Sequence, residues 1–429
     1  MTDTIVALAS GRPPTAIAVV RVSGPAAGTV LQQISGAPLP VPRALTMRDL
    51  HGPDSAIDRT LVAWMPGRAS ATGEDTAEFH LHGGAAVIAG LVDAVLACAG
   101  TRLATPGEFT RRAFDNGRLD MSQVEGLADL LSAETASQRQ QALALAGGTL
   151  GRLAEAWRER CLQLLAEAEA GLDFAEDEAD VATRLDLAAA DALTTMADEL
   201  DQMIADSARA ARIRDGLTIV VTGPPNVGKS SIVNALSMRD VAIVTPVPGT
   251  TRDSIEVPID LGGVAAVLID TAGLRDTADP VEAEGIARAR AKAAAADLVM
   301  HVTDNPDAPL PASALLVINK LDLHGRSAPA GHVAISALSG AGMPALRQWL
   351  VDWAAVLLRP GEPALLAHAR HREAFAEAAA RLREAASAPL PELRAEALRL
   401  ATSAFARIAG RVDIDDVLDQ IFSRFCIGK

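Results

Sequence analysis

Leu217–Thr222 followed by Gly223-Pro224-Pro225-Asn226-Val227-Gly228-Lys229-Ser230 is an apolar run that empties into a complete Walker A loop. The run predicts a buried strand. The loop's backbone N–H groups and the helix start behind it make an anion cradle, with Lys229 reaching the β- and γ-phosphates. Further along stand, in order, Thr250-Thr251, Asp270-Thr271-Ala272-Gly273, Asn319-Lys320-Leu321-Asp322 and Ser336-Ala337-Leu338. Ser230 is expected to hold Mg²⁺, Thr251 to close over the same ion from a switch loop, Asp270 to reach it through water, and the Gly273 N–H to face the γ-phosphate. Asp322 can accept two hydrogen bonds from a guanine edge that adenine does not offer, and such a site rejects the wrong base by about 10⁴. A lone Walker A loop occurs in many ATPases. Together, these motifs predict a domain that binds and hydrolyses GTP. The expected nucleotide contacts are Asn226, Val227, Gly228, Lys229, Ser230, Ser231, Thr245, Pro246, Val247, Pro248, Gly249, Thr250, Thr251, Asp270, Thr271, Ala272, Gly273, Asn319, Lys320, Asp322, Ser336 and Ala337.

Two departures from an ordinary switch GTPase bear on mechanism. Leu274 follows the Asp270 motif where signalling GTPases carry a glutamine that orients the attacking water. No arginine stands in an obvious finger position before Thr250, so the positive charge that a finger supplies, worth about 10³–10⁵ in rate, must come from elsewhere. A monovalent cation is the economical candidate: Asn226 offers an amide oxygen, and carbonyls of residues 245–250 could complete an oxygen cage. For water activation the nearest carboxylates are Asp276, Asp279, Glu282 and Glu284, of which Glu282 is favoured. The alternative is that all four form a solvated helix start.

A length of 429 residues gives a prior of about three domains, and 49% hydrophobic with 22% charged residues is ordinary for a soluble globular protein. No apolar run approaches the ~18 residues of a membrane span, and the start lacks a basic segment and cleavage site, so a cytoplasmic protein is expected. Cys98, Cys161 and Cys426 are far apart, against a disulfide framework or zinc site. A net charge of -15 argues against nonspecific nucleic-acid binding by the whole surface and leaves room for a local basic face. Only four lysines occur, at 229, 292, 320 and 429. Lys229 meets phosphate as a compact charge and Lys320 can lay its aliphatic stem along the base, which makes Lys429 a candidate functional residue too.

Residues 1–114 read as α+β, with β-type runs at 17–22, 61–64 and 77–82 and a helix over 85–98. Residues 115–210 read as helical, with the acidic stretch 173–180 as a connection. Residues 211–356 form the GTPase domain, and Arg359-Pro360-Gly361-Glu362-Pro363 a linker. In 357–429, Leu418, Ile421, Phe422 and Phe425 follow helical spacing. Such a stripe cannot be buried alone and is expected to pack on the earlier helical block. The predicted fold class is a multidomain α/β chain: an α+β N-terminal domain, then a helical domain with a Ras-like P-loop GTPase domain inserted in it.

Thr4-Ile5-Val6-Ala7-Leu8-Ala9, Val20-Arg21-Val22-Ser23-Gly24-Pro25, Gly73-Glu74-Asp75, His80-Leu81-His82-Gly83-Gly84, residues 106–114, Gly249-Thr250-Thr251-Arg252-Asp253 and the ending Phe425-Cys426-Ile427-Gly428-Lys429 carry a further signal. With these motifs the chain resembles the MnmE (TrmE) family of tRNA modification GTPases along essentially its whole length. The resemblance implies a homodimer joined through N-terminal domains that bind a tetrahydrofolate derivative, 5-formyl- or methylene-tetrahydrofolate, as one-carbon donor. It also implies a hetero-oligomer with the FAD-dependent MnmG (GidA), which together install an aminomethyl or carboxymethylaminomethyl group on C5 of the wobble uridine of certain tRNAs. By matching motif positions, it implies K⁺ ligands Asn226, Thr245, Val247 and Thr250, Mg²⁺ ligands Ser230 and Thr251, and Glu282 as the carboxylate that activates water. The implied folate contacts are Arg21, Glu78, Arg118 and Lys429. A carboxylate such as Glu78 suits a pterin N–H edge, and cations suit the glutamate tail; on a generic sheet Arg21 and Glu78 would be a surface pair. Cys426 reads as a nucleophile or sulfur participant, or as a small packing residue. A ribosome-assembly switch GTPase is the alternative function. The N-terminal domain and the tail weigh against it.

Overall fold

The structure, a computed structural model, describes residues 3–53, 55–174, 179–240, 256–270, 294–309, 314–359, 364–410, 425 and 428, with the backbone alone over 170–174, 179–188 and 238–240. The chain forms two compact units, one of Met1–Ala128, Leu145–Glu167 and Leu398–Lys429, the other of Asp129–Ala144 and Ala168–Ala397.

The first unit is built on strands β1 (Thr4–Leu8), β2 (Thr15–Ser23), β3 (Thr46–His51), β4 (Ala56–Met65), β5 (Thr76–Gly83) and β6 (Thr101–Leu103). Alternation sets their faces. In β5, Ala77, Phe79 and Leu81 are buried while Glu78, His80 and His82 point the other way, as a strand period of two requires. The sheet order is β3-β4-β5-β2-β1-β6, antiparallel throughout except for the parallel β1–β6 pair. Helices Ala27–Ser35 and Ala85–Leu96 supply Val30, Leu31, Ile88 and Leu91 to a core with Val20, Val22, Val62 and Phe79. On the opposite face Phe109 packs with Ile5, Ala7 and Ala104. Further along, Ile17 (61%), Met47 (51%) and Leu61 (36%) remain exposed.

Glu74, Glu108 and Arg112, which stand in motifs quoted above, lie inside this unit. Arg112 is fully buried on helix Glu108–Asp115. Its Nη1 donates to Glu74 Oε2 and the Asp3 carbonyl (3.0 Å each), and its Nη2 to Asp3 Oδ1 (2.9 Å) and Glu108 Oε1 (3.1 Å). Arg102 Nη1 donates to Glu108 Oε2 at 2.8 Å. Buried charges are tolerated when paired in this way. In the helical part of the unit, Trp157 stacks on Phe405 (centroids 6.1 Å apart). Phe425 packs on Met121 and Val124, so this tail residue does bury itself against the earlier helical block.

The second unit holds strands β7 (Leu217–Thr222), β8 (Glu256–Asp260), β9 (Ala265–Asp270), β10 (Leu298–Thr303), β11 (Ala314–Ile318) and β12 (Val333–Ala334) in the order β12-β11-β10-β7-β9-β8. All pairs are parallel except β8–β9. Near-continuous apolar runs such as Leu315–Ile318 within β11 are buried, as expected for a parallel sheet. This is the doubly wound arrangement of a Ras-like GTPase domain, with ligand loops at the carboxyl ends of the strands. A long helix, Ala179–Asp215, ends with Arg212 and Arg214 in its last turn and Gly216 in the left-handed region (φ 83°). Arg212 Nε donates to Asp297 Oδ1 (2.7 Å), and Asp297 Oδ2 accepts from Thr218 N (2.9 Å). Buried Gln141, on helix Ala136–Ala146, donates to the carbonyls of Ala210 (3.0 Å) and Ala364 (2.7 Å). Of the expected acidic connection at 173–180, residues 173–174 end helix Thr149–Phe174 and residues 179–180 begin the next helix, while 175–178 lie outside the described residues.

Candidate functional site: a phosphate loop stitched to a guanine loop

β7 delivers the chain to Gly223, whose φ of 136° and whose approach to Val302 leave no room for a Cβ, which would overlap the Val302 carbonyl oxygen. Asn226 sits at φ 62°, exposed on the loop. Gly228 (φ 95°) is equally constrained, because a Cβ there would overlap Asn319 Nδ2. Helix Lys229–Asp240 starts directly behind. Lys229 is nine-tenths buried, and its ammonium donates to the carbonyls of Gly223 (2.9 Å) and Pro224 (2.7 Å), so the charge is held over the loop. At the end of β9, Asp270 accepts a 2.7 Å hydrogen bond from Ser230 Oγ through Oδ2. A hydroxyl and a carboxylate oxygen brought together beside a phosphate cradle suit a hard divalent cation such as Mg²⁺.

The guanine side is tied to this cradle by one side chain. Asn319, at the end of β11 and 4% exposed, donates from Nδ2 to the Val227 carbonyl (2.8 Å) and accepts from Ala337 N through Oδ1 (3.0 Å). It therefore fixes the phosphate loop and the Ser336-Ala337 loop in one frame. Ser336 is fully buried and its hydroxyl accepts from Ser339 N (3.1 Å), which shapes that loop. Lys320 takes the left-handed conformation (φ 64°) ahead of the short helix Leu321–His324, and Asp322 stays exposed in its first turn. The Lys320 ammonium donates to Asp304 Oδ2 at 2.6 Å; that hydrogen bond holds the Asp304 carboxyl below its ordinary range. Sequence reading passed over Asp304. Its signal was available, since Asp304 directly follows strand β10, which pairs in parallel with β11.

Of the expected nucleotide contacts, the structure brings together Asn226, Val227, Gly228, Lys229, Ser230, Asp270, Asn319, Ser336 and Ala337, with Lys320 and Asp322 on the adjoining turn and Ser231 on the helix behind the loop. Thr245, Pro246, Val247, Pro248, Gly249, Thr250, Thr251, Thr271, Ala272, Gly273 and Glu282 lie outside the described residues, as do Cys426 and Lys429.

Three of the four residues of the second expected site, Arg21, Glu78 and Arg118, are among the described residues. Arg21 and Glu78 face each other in the β2–β5 register and form an ion pair, with Arg21 Nε and Nη2 at 2.9 and 2.8 Å from Glu78 Oε1. The Arg21 guanidinium also lies 5.7 Å from the centroid of the Phe109 ring. Arg118 Nε donates to the Ser70 carbonyl at 3.2 Å. Gly428 lies against β1: at φ 106°, a Cβ there would overlap the Leu8 carbonyl oxygen. Leu8 pairs with Val20, the neighbour of Arg21. The two described cysteines are poor nucleophiles, since burial raises the Cys98 thiol pKa and pushes Cys161 up to about 12. Among the described residues no helix is long and apolar enough to cross a membrane.

A family model described as the MnmE helical domain matches residues 121–426, and one described as GTP-binding protein TrmE N-terminus matches residues 4–118. The tRNA modification GTPase MnmE of Rhodopseudomonas palustris (strain BisB5) is 48% identical over 460 residues, covering 100% of this chain and 99% of that one. The protein of the same description from Methylorubrum populi is 49% identical over 438 residues, covering 100% and 98%. The solved G domain of the T. maritima FeoB iron transporter is similar at 24% identity over 32% of this chain and 98% of that one, with a TM-score of 0.22; the fold assignment rests on the strand topology instead. With a GTPase domain of Ras-like topology, matching family models over both its N-terminal and helical regions, and relatives aligned end to end, the chain is a GTP hydrolase that belongs to the MnmE (TrmE) family of tRNA modification GTPases.

Proposed function

We propose that the chain is a K⁺-dependent GTPase that acts with the FAD-dependent MnmG (GidA) to add an aminomethyl or carboxymethylaminomethyl group to C5 of the wobble uridine of certain tRNAs. The observation that carries this reading is the Asn319 stitch between a complete phosphate loop and the guanine loops, in a chain of this family. Ser230 and Thr251 hold Mg²⁺, which offsets phosphate charge when bound. Asn226, Thr245, Val247 and Thr250 hold K⁺ in place of an arginine finger, and Glu282 activates water where Leu274 cannot. The remaining expected contacts, Val227, Gly228, Lys229, Ser231, residues 246 and 248–249, Asp270-Thr271-Ala272-Gly273, Asn319, Lys320, Asp322, Ser336 and Ala337, cradle the nucleotide.

Arg21 and Glu78 of the N-terminal domain, residues 1–114, bind the tetrahydrofolate derivative together with Arg118 and Lys429. That domain's exposed Ile17, Met47 and Leu61 on the sheet face opposite the helices suit a second copy of the chain, which makes the protein a homodimer. Residues 115–210 and 357–429 form one cytoplasmic protein's helical domain around the inserted GTPase domain, residues 211–356. Gln141, bonded to Ala210 and Ala364, supports this arrangement by holding the entry and exit of the insertion together. Cys426 takes part in the modification. The experiment is GTP hydrolysis in K⁺ and in Na⁺ at matched ionic strength, alongside mass spectrometry of wobble uridines in a strain lacking the protein. Fast turnover in K⁺ alone and loss of the modified uridine are expected; equal rates in both salts would remove the cation from the mechanism.

A further inference from the structure

On the face of the first sheet opposite its helices, His80 follows Glu78 by two residues on β5 and therefore shares its side. Its cross-strand neighbours are Val19 on β2 and Leu61 on β4, both apolar. Glu78 Oε1 is held by Arg21, while Glu78 Oε2 stands 3.6 Å from His80 Nε2, beyond hydrogen-bonding distance. That nitrogen is buried and has no hydrogen-bond partner among the described residues. Buried polar groups are almost always paired, and an orphan calls for a partner from elsewhere. Neither Val19 nor Leu61 can supply one.

We propose that His80 contacts the folate directly, as the third member of a row Arg21–Glu78–His80, and thereby helps select a pterin ring. The proposal rests on the folate reading of Arg21 and Glu78. A pterin presents a lactam edge in which a ring N–H adjoins a carbonyl. Glu78 Oε2 accepts from the N–H, and His80, in the tautomer that carries its proton on Nε2, donates to the carbonyl. Arg21 keeps the carboxylate in place through the other oxygen and is itself held over Phe109. A carboxylate alone would take any N–H edge; the added donor makes the pair specific for a neighbouring donor and acceptor.

The test is equilibrium binding of 5-formyltetrahydrofolate to the full chain, comparing wild type with His80→Ala, His80→Gln and Glu78→Gln, together with GTP hydrolysis and the melting temperature. His80→Ala should weaken binding about tenfold, as expected for one hydrogen bond to the ligand. His80→Gln, whose amide restores a donor, should recover most of that loss, with hydrolysis and melting unchanged. If Glu78→Gln abolishes binding while His80→Ala binds like wild type, His80 is outside the site and the folate reading stands without it. If neither substitution affects binding, the folate reading of this face fails and the proposal with it. A His80→Ala loss accompanied by lower melting and not rescued by glutamine would assign the ring to packing and overturn the proposal.

Discussion

Replacing Glu108 by glutamine tests the buried charge network that positions the N-terminal sheet. Burial of Glu108 would raise its pKa, yet the Arg102 hydrogen bonds, the Thr105 amide and Arg112 outweigh burial and hold it down to about 2, from an ordinary 4.5. The difference of about 2.5 units, at about 1.4 kcal/mol per unit, amounts to about 3 kcal/mol of stability. Because the folded-state pKa is depressed, this contribution is fully present above about pH 4.5 and is lost as the pH falls through 4.5 towards 2. Glu108→Gln removes the charge at every pH and leaves Arg102 and Arg112 short of a carboxylate partner. Native-state hydrogen exchange of β1 and β6, corrected for intrinsic rates, should show these strands opening about 3 kcal/mol more easily in the variant at pH 7. The gap between variant and wild type should close as the pH falls from 4.5 towards 2, because the unfolded wild-type chain takes up the proton near 4.5 while the folded carboxyl does so only near 2. A gap that stays constant across that range, or a gap near zero at pH 7, would refute the electrostatic account.

Asp322→Asn should weaken GTP and favour xanthosine triphosphate, whose C2 oxygen suits an amide donor; an unchanged preference in nucleotide competition would remove Asp322 from the guanine site. Gln141→Leu should leave two buried carbonyls without their donor and cost about 2–4 kcal/mol in denaturant unfolding; a loss under about 0.5 kcal/mol would show that water replaces the amide. Gly428→Ala should displace the tail from the Leu8 carbonyl and abolish wobble-uridine modification while GTP hydrolysis stays near wild type. Normal modification by that variant would show that the close approach at Leu8 is dispensable.

Strands with strong alternation were legible in advance. Residues 77–82 foretold β5 and residues 17–22 foretold β2, and the helix expected over 85–98 is found at Ala85–Leu96. Strand β3 carries a single buried residue, Leu50, and β6 has three residues with none buried, so neither leaves an apolar period to read. Both lie at sheet edges, where one side of the strand is free of a partner and the pattern is weakest. Glu108 and Arg112 stand four residues apart, a spacing that by itself says nothing of burial; Asp3 and Glu74 arrive from 109 and 38 residues away to make the arginine a buried hub.

The amino-acid sequence by itself determined the nucleotide chemistry, because each loop of that site states its own requirement locally: glycines where no Cβ fits, a lysine and a serine at the helix start, and an aspartate at a strand end. Those demands are met within a few residues of chain, so they survive without knowledge of the fold. What the tertiary structure alone decided is which distant groups meet. Asn319 reaches Val227 across 92 positions, and Arg112 gathers Asp3, Glu74 and Glu108. His80 is left with an unanswered ring nitrogen because its cross-strand neighbours are Val19 and Leu61. Register and burial arise from the packing of whole sheets, and no local spacing encodes them.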